Sequence, residues 1–329
     1  ARGAQRTVES ARVLVDDAHS GSWEISSRRF DDNCWGDVAL YNYAAAVEWL
    51  AHDARVEIHR EGWITEQALA RTDVVLIKTP GVQFETEEQA CIRKWVKRGG
   101  VLVLLGDHTN LFGMNQKLNE LLADVPIRFR DDSINDWRGP LAMYRPSRAS
   151  ATGVWRAVCT TQFMTACSLD VFGGAEGLLR LPQCLYDRAN YGRDSYFGDL
   201  HADGNEAIAS VWVAARAIFG SGKVICFSDS TVFSNFALAD PGHDRLWSAL
   251  VAEFSAPVPE RRPQRVAVAL ALAAALWVSL RARWERPDRC VSSVLLGASI
   301  GAVAAFGVHC STRMPEPRDL VEHIANASS

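Results

Sequence analysis

The chain is predicted to be an α/β protein built on an open, mostly parallel sheet, and three observations carry that prediction. Three apolar runs each end in a polar tip: Val13-Leu14-Val15-Asp16-Asp17-Ala18-His19, Val101-Leu102-Val103-Leu104-Leu105-Gly106-Asp107-His108-Thr109-Asn110, and Lys223-Val224-Ile225-Cys226-Phe227-Ser228-Asp229-Ser230. Uninterrupted runs of this kind are strands covered on both faces. A helical pattern precedes the middle run, and such a crossover is what successive parallel strands need. Finally, 329 residues with 48% hydrophobic content are enough for a sizeable core.

The elements follow in order. After the first strand, residues 20–36 form a long loop rich in Ser, Arg, Asp and Trp. A helix is expected from about Asp37 to Leu50, with Ala44, Val47 and Leu50 as its inner stripe. Val56 to His59 is a short strand, Thr65 to Leu69 a turn, and Asp73 to Pro80 another apolar strand with a polar end at Lys78. Thr86-Glu87-Glu88-Gln89 is a capping box; the helix it starts packs Ile92, Trp95 and Val96 inward and stops at Gly99-Gly100. Asn115 to Leu122 is the helix after the central strand.

Residues 126–205 change character: Val154 to Thr160 and Leu169 to Phe172 are short runs broken by Gly, Pro and Asp, which predicts an inserted β-rich region. Ile208 to Ala217 is a strand, Gly220-Ser221-Gly222 a turn into the last parallel strand, and His243 to Phe254 a closing helix. These elements make one α/β domain over residues 1–256, with residues 257–265 as a linker, 266–310 as a membrane hairpin and 311–329 as a tail.

Val266 to Leu280 is an uncharged apolar run of 15 residues, and Val291 to Cys310 a second run of 20. The second can cross a hydrocarbon core, and the first needs its flanking arginines to snorkel. The expected partner is therefore a lipid bilayer. Four arginines in the connection (Arg281, Arg283, Arg286 and Arg289) place it in the cytoplasm by the positive-inside tendency, which puts the large domain outside. Arg261, Arg262 and Arg265 on the opposite side nearly balance them.

A net charge of -4 and a pI near 6.1 provide no basic face for nucleic acid. The eight cysteines include no CxxC, so no zinc ribbon or dithiol motif is present. Cys91 and Cys226 read as small core residues, while Cys159 and Cys167 flank a turn and can pair in an oxidising compartment. Among 11 Trp, the loop-like positions of Trp23, Trp35, Trp137 and Trp155 suit either sugar stacking or rim packing.

The acid-His tip after the first strand, then "aDVVLIKTP", "fTxEExxxIxxWVxxGG" and "VLVLLGDHTN", resembles the class I glutamine amidotransferase-like superfamily. More narrowly it is similar to the membrane-tethered degenerate type, the DUF4350 and gliding-motility transporter-accessory domains. The resemblance spans residues 11–125 and 221–254 and implies a flavodoxin-like, doubly wound sheet. One departure matters: where active members carry a Gly-x-Cys-x-Gly elbow, this chain has Gly106-Asp107-His108-Thr109-Asn110. Without a thiolate nucleophile, glutamine hydrolysis is not expected.

If the strands are parallel neighbours, their tips meet over one hollow. Asp107, His108 and His19 are then candidates for acid/base chemistry, with Asp17, Glu24, Lys78, Asn110, Asp229, Ser230 and Asn235 as ligand-binding groups. Asp17, His19, His108 and Asp229 also form a donor set suited to a divalent metal, the one cofactor the residues suggest. The same residue types equally serve as helix caps and loop ties. The expected function is a membrane-anchored domain that binds an envelope glycan or peptide, or a transporter subunit, through an Asp/His cleft. The alternative is a metal-assisted or acid/base hydrolase of such a substrate.

Overall fold

The computed structural model describes residues 11–21, 42–136, 150–158, 162–188, 197–199, 202, 204, 206–235, 237, 242–258 and 277. Two compact units divide the chain, Ala1–Val258 and Pro259–Ser329. Apart from Trp277, the apolar segments Val266–Leu280 and Val291–Cys310 lie outside the described residues. No helix among the described residues is long and apolar enough to cross a membrane.

In the first unit the order is β1 (Arg12–Asp16), α1 (Ala44–Asp53), β2 (Arg55–His59), α2 (Glu66–Ala70), β3 (Val74–Lys78), α3 (Thr86–Lys97), β4 (Val101–Leu105) and α4 (Met114–Leu121). Then come β5 (Ile127–Phe129), β6 (Asp132–Asp136), β7 (Ser150–Ala151), β8 (Leu169–Val171), β9 (Glu176–Arg188), β10 (Ala207–Phe219), β11 (Gly222–Phe227) and α5 (His243–Ser255). All strands among the described residues belong to one 11-stranded sheet. β2, β1, β3, β4 and β11 lie side by side in that order, all parallel. This is the 2-1-3-4-5 order of a doubly wound sheet, with β11 in the fifth place. The remaining pairings are antiparallel, so the sheet is mixed rather than mostly parallel.

The period-2 geometry of the strands sorts their side chains onto two cores. Val13, Val15, Leu76, Val103, Leu105, Ile225 and Phe227 pack with Leu50 of α1 and Leu246 and Leu250 of α5. Leu14, Val75, Ile77, Leu102, Leu104, Val224 and Cys226 pack on the other face with Leu69, Ile92, Val96, Leu118 and Leu121 of α2, α3 and α4. Helices therefore cover both faces, which is why the strands lack polar alternation. The face changes between α1 and α2, which puts the topological switch point between β1 and β3.

Several expectations shift. α1 begins at Ala44 and runs to Asp53; residues 37–41 are outside the described set. The N-terminus of α3 does not make a capping box: Glu85 is its N-cap, with no side-chain cap bond, and the Gln89 amide donates to the Phe84 carbonyl at 2.9 Å. Glu88 is drawn into the core instead. Thr65 caps a short helix rather than closing a turn. The expected strand at Val154 is a 3-10 turn, Gly153–Val158, and its Trp155 is fully buried against Phe227 rather than offered to a sugar. Cys167 has a free thiol, and Cys159 lies outside the described residues, as do Trp23, Trp35 and Trp137.

The 13-residue strand β9 went unread because Pro182 and scattered charges interrupt its apolar pattern. It gains its pairing from β10, an equally long neighbour that meets it through register shifts.

Candidate functional site

The four central parallel strands deliver their polar tips to one rim of the sheet, as the strand order requires. Two distinct constellations result. At the β1 and β3 tips, every charge has an opposite charge beside it. His19 Nδ1 lies 3.0 Å from Asp16 Oδ1, and its Nε2 lies 3.2 Å from Glu88 Oε2. The ring stacks on Phe84, with centroids 4.0 Å apart. Glu88 also accepts the Ile64 amide at 2.6 Å. Burial pulls the His19 pKa down, but Asp16 and Glu88 outweigh it and raise the value to about 9. His19 is thus a buried imidazolium that ties the β1 loop to α3. Next to it, the Lys78 ammonium donates to Ser20 Oγ at 2.6 Å, lies 3.5 Å from Asp17 Oδ1 and sits 4.7 Å from the Tyr43 ring centroid.

The β4 and β11 tips are built differently. Ser230 Oγ donates to Asp107 Oδ2 at 2.6 Å, and the His108 amide donates to Asp107 Oδ1 at 2.7 Å. Beside them the Thr165 hydroxyl lies 2.6 Å from the Thr231 hydroxyl and 3.2 Å from Asp229 Oδ1. Among the described residues no Lys or Arg balances the Asp107 carboxylate as Lys78 balances Asp17; the His108 ring Nε2 lies 3.8 Å from Asp107 Oδ1. Burial pushes the Asp107 pKa up to about 6, against the bonds that lower it. Burial and the charge of Asp107 raise Asp229 to about 6 as well.

Tyr43, Asp107, Ser230 and Thr231 floor a cavity of about 320 Å3, walled by Leu111, Phe112, Met114 and Phe197. Phe197 stacks on the His108 ring at 4.3 Å, and Phe112 is 65% exposed at the mouth. Gly106 permits the close approach beneath: a Cβ there would lie 2.4 Å from the Phe129 ring. The backbone around the cavity is strained. Thr79, Thr109, Asn110 and Phe112 have φ between 34° and 51°, a region that non-glycine residues rarely adopt. Strain held in place by buried packing is commonest where a ligand is gripped.

The structure distributes the sequence candidates unevenly. Asp107, His108 and Ser230 share the cavity. His19 is held in its own ion-pair clamp, and Asp17 and Lys78 are paired on the far side of Tyr43. Asp229 ties down loops, accepting the amides of Met164 at 2.7 Å, Thr165 at 3.2 Å and Val232 at 3.3 Å. Asn235 accepts the Ala45 amide at 2.9 Å, and so caps α1. Asn110 accepts the Gln116 amide at 2.9 Å at the start of α4 and lines a second cavity. Glu24 lies outside the described residues.

The proposed metal set is corrected. No three of Asp17, His19, His108 and Asp229 have donor atoms within 4.8 Å of one another. Their carboxylates and imidazoles are drawn to separate partners, so they do not fit a shared ion. Among the described residues, that spacing occurs at Asp187, Asp199 and Glu206.

Sequence reasoning missed Tyr43, Thr79, Thr165, Phe112 and Phe197. Thr79 had a signal, since it directly follows β3, and Tyr43 stands at the N-terminus of α1. The others reach the cavity through loops whose course no periodicity encodes.

Fold and site together define a mixed α/β domain with a mostly apolar cavity at the carboxyl edge of its parallel strands. Residues 41–251 match the domain of unknown function DUF4350, and the chain belongs to that family. Comparison with curated protein sequences finds no match. Among solved structures it is similar to the mmIFT52 N-terminal domain, at 12% identity over 75% of this chain and 99% of that one, with a TM-score of 0.53. It is also similar to cytoplasmic protein STM3548 from Salmonella typhimurium, at 15% identity over 74% and 98% of the two chains, TM-score 0.42. A β-galactosidase from Bacillus circulans sp. alkalophilus aligns at 15% identity over 76% and 31%, TM-score 0.39. At such identities the first likeness speaks for the fold alone.

Proposed function

We propose that this is a membrane-tethered, amidotransferase-like domain without thiol chemistry, which binds a ring-bearing envelope ligand, a glycan or peptide, in the Asp107 cavity. The observation that carries the reading is the composition of that cavity. Aromatic and aliphatic walls suit the apolar face of a sugar or side-chain ring, and hydroxyls with one carboxylate suit its polar edge. Loss of the thiol chemistry is supported by the β4 tip, which carries Asp107 where the elbow cysteine would stand. Burial also raises the Cys167 thiol well above its ordinary pKa, and Cys167 does not line the cavity. The tether rests on the two apolar segments of the sequence.

Binding of soluble envelope-glycan and stem-peptide fragments to the detergent-solubilised chain tests this. Asp107→Asn and Phe112→Ala should each weaken binding by about tenfold with the fold intact, the size of one lost charge-assisted hydrogen bond or one stacking contact. Unchanged affinity in both variants rejects the assignment.

One observation favours a second reading, an acid/base hydrolase: a carboxyl group with a pKa of about 6 is poised for proton transfer near neutrality. Ser230 donates to Asp107 rather than to an imidazole, so a serine nucleophile activated by histidine is not assembled here. Turnover of the same fragments, abolished by Asp107→Asn, would select the hydrolase.

A further inference from the structure

The strained segment from His108 to Gly113 has a cavity on each side. His108, Leu111 and Phe112 face the one already described, and Thr109 and Asn110 line a second, of about 500 Å3. The second is polar where the first is apolar. Its charged lining is Arg130, Asp131, Asp132 and Arg188. We propose that this second cavity binds a zwitterionic amino-acid end, such as the free termini of a short peptide.

The argument separates side chains that build the wall from those left for a ligand. Asp132 accepts the Ser168 amide at 2.7 Å and the Ser168 hydroxyl at 2.5 Å, so it is held by the protein. Arg130 lies 3.5 Å from Asp132 and 3.6 Å from Asp170, with its guanidinium over the Tyr186 ring at 5.3 Å. Those two neutralise each other within the wall.

Arg188 and Asp131 are exposed and are not paired with each other. Neither side chain makes a hydrogen bond or ion pair among the described residues. Asp132 and Arg188 are register partners in β6 and β9 and Asp131 immediately precedes Asp132, which brings Asp131 and Arg188 to the lining of the same cavity. The Arg188 amide is anchored to Glu206 at 2.8 Å. Asn110 uses its carbonyl oxygen on Gln116, which leaves the Nδ2 donor for a ligand.

A positive fork with an amide donor, and a carboxylate held apart from it, match a ligand that carries both charges. An anion alone would face Asp131, and a cation alone would face Arg188. A carboxylate on Arg188 and Asn110, with an ammonium on Asp131, satisfies every group. The assignment uses residues that do not line the Asp107 cavity, so it stands or falls separately from the glycan reading.

The test is saturation-transfer difference NMR on the full chain in detergent, with alanyl-alanine, its N-acetyl form and its C-terminal amide as probes. The unblocked dipeptide should bind about tenfold more tightly than either blocked form, each of which loses one charge-assisted contact. Arg188→Gln should erase the preference for carboxylate over amide and leave the preference for free amine, whereas Asp131→Asn should do the reverse. Arg188→Lys should retain part of the carboxylate preference. Both sites are exposed, so these variants fold. Absence of dipeptide binding at millimolar concentration, or preferences unchanged in Arg188→Gln and Asp131→Asn, overturns the proposal.

Discussion

The β1/β3 rim and the β4/β11 rim start from the same sequence design, an apolar strand running into acids and a histidine, and end in opposite states. At the first, His19 is clamped between Asp16 and Glu88, and Lys78 closes on Asp17 and Ser20, filling the crevice at the switch point. At the second, Asp107 accepts from the Ser230 hydroxyl and the His108 amide, no Lys or Arg among the described residues pairs with it, the His108 ring lies 3.8 Å away, and a cavity stays open above. Charges that are matched within the protein lock a loop. A buried carboxylate with no Lys or Arg against it keeps a raised pKa and a capacity for new bonds. The open α/β rule places ligands at the switch point; here that place is plugged from within, and the hollow moves two strands along.

The largest effect should come from breaking the clamp. Glu88→Ala leaves a buried imidazolium with one partner and should destabilise the domain by about 3 kcal/mol or more, measured by chemical denaturation. The His19 pKa should also fall from about 9 toward its ordinary value, as followed by NMR titration. A loss below about 1 kcal/mol would mean that the clamp is no more structural than a surface pair.

Titration sharpens the contrast. The folded pKa of about 6 at Asp107 and Asp229 exceeds the unfolded value near 3.8, so the folded state holds more protons between those limits, and stability should fall as pH rises from about 4 to 6. His19, raised from 6.5 to about 9, contributes stability that is complete below pH 6.5 and is lost as pH rises through 9. Lys223, lowered from 10.5 to about 8 by burial, has the opposite slope above pH 8. In denaturation midpoints measured across pH, Asp107→Asn should make the acidic limb shallower and leave the Asp229 part. His19→Gln should remove the fall that starts near pH 6.5 and leave the Lys223 rise above pH 8. A single variant that flattened both limbs would show the rims to be one coupled network.

The smallest effect lies in the strained wall. Phe112 is exposed at φ 51°, so Phe112→Gly should raise stability by about 0.5–1 kcal/mol while weakening ligand binding. Thermal denaturation beside a binding titration reads both changes. A loss of stability would mean that the Phe197 and Phe112 walls pack for the fold rather than for a ligand.

The strand cores, the crossover helix ending at Gly99-Gly100 and the polar strand tips were legible because burial on both faces and the end of a helix leave local marks in composition and spacing. The thiol-free β4 tip was legible for the same reason. The partnering of the tips was not. His19 and His108 look alike in sequence, and only the fold brings Glu88, from a helix whose first turn has the residues of a capping box, onto one of them. Likewise Tyr43, Thr165 and Phe197 reach the cavity from a helix start and two loops far apart in the chain. Local sequence sets which groups can be charged, buried or turned. Which charge meets which is a matter of distances across the sheet, and those exist only once the strands have chosen their neighbours.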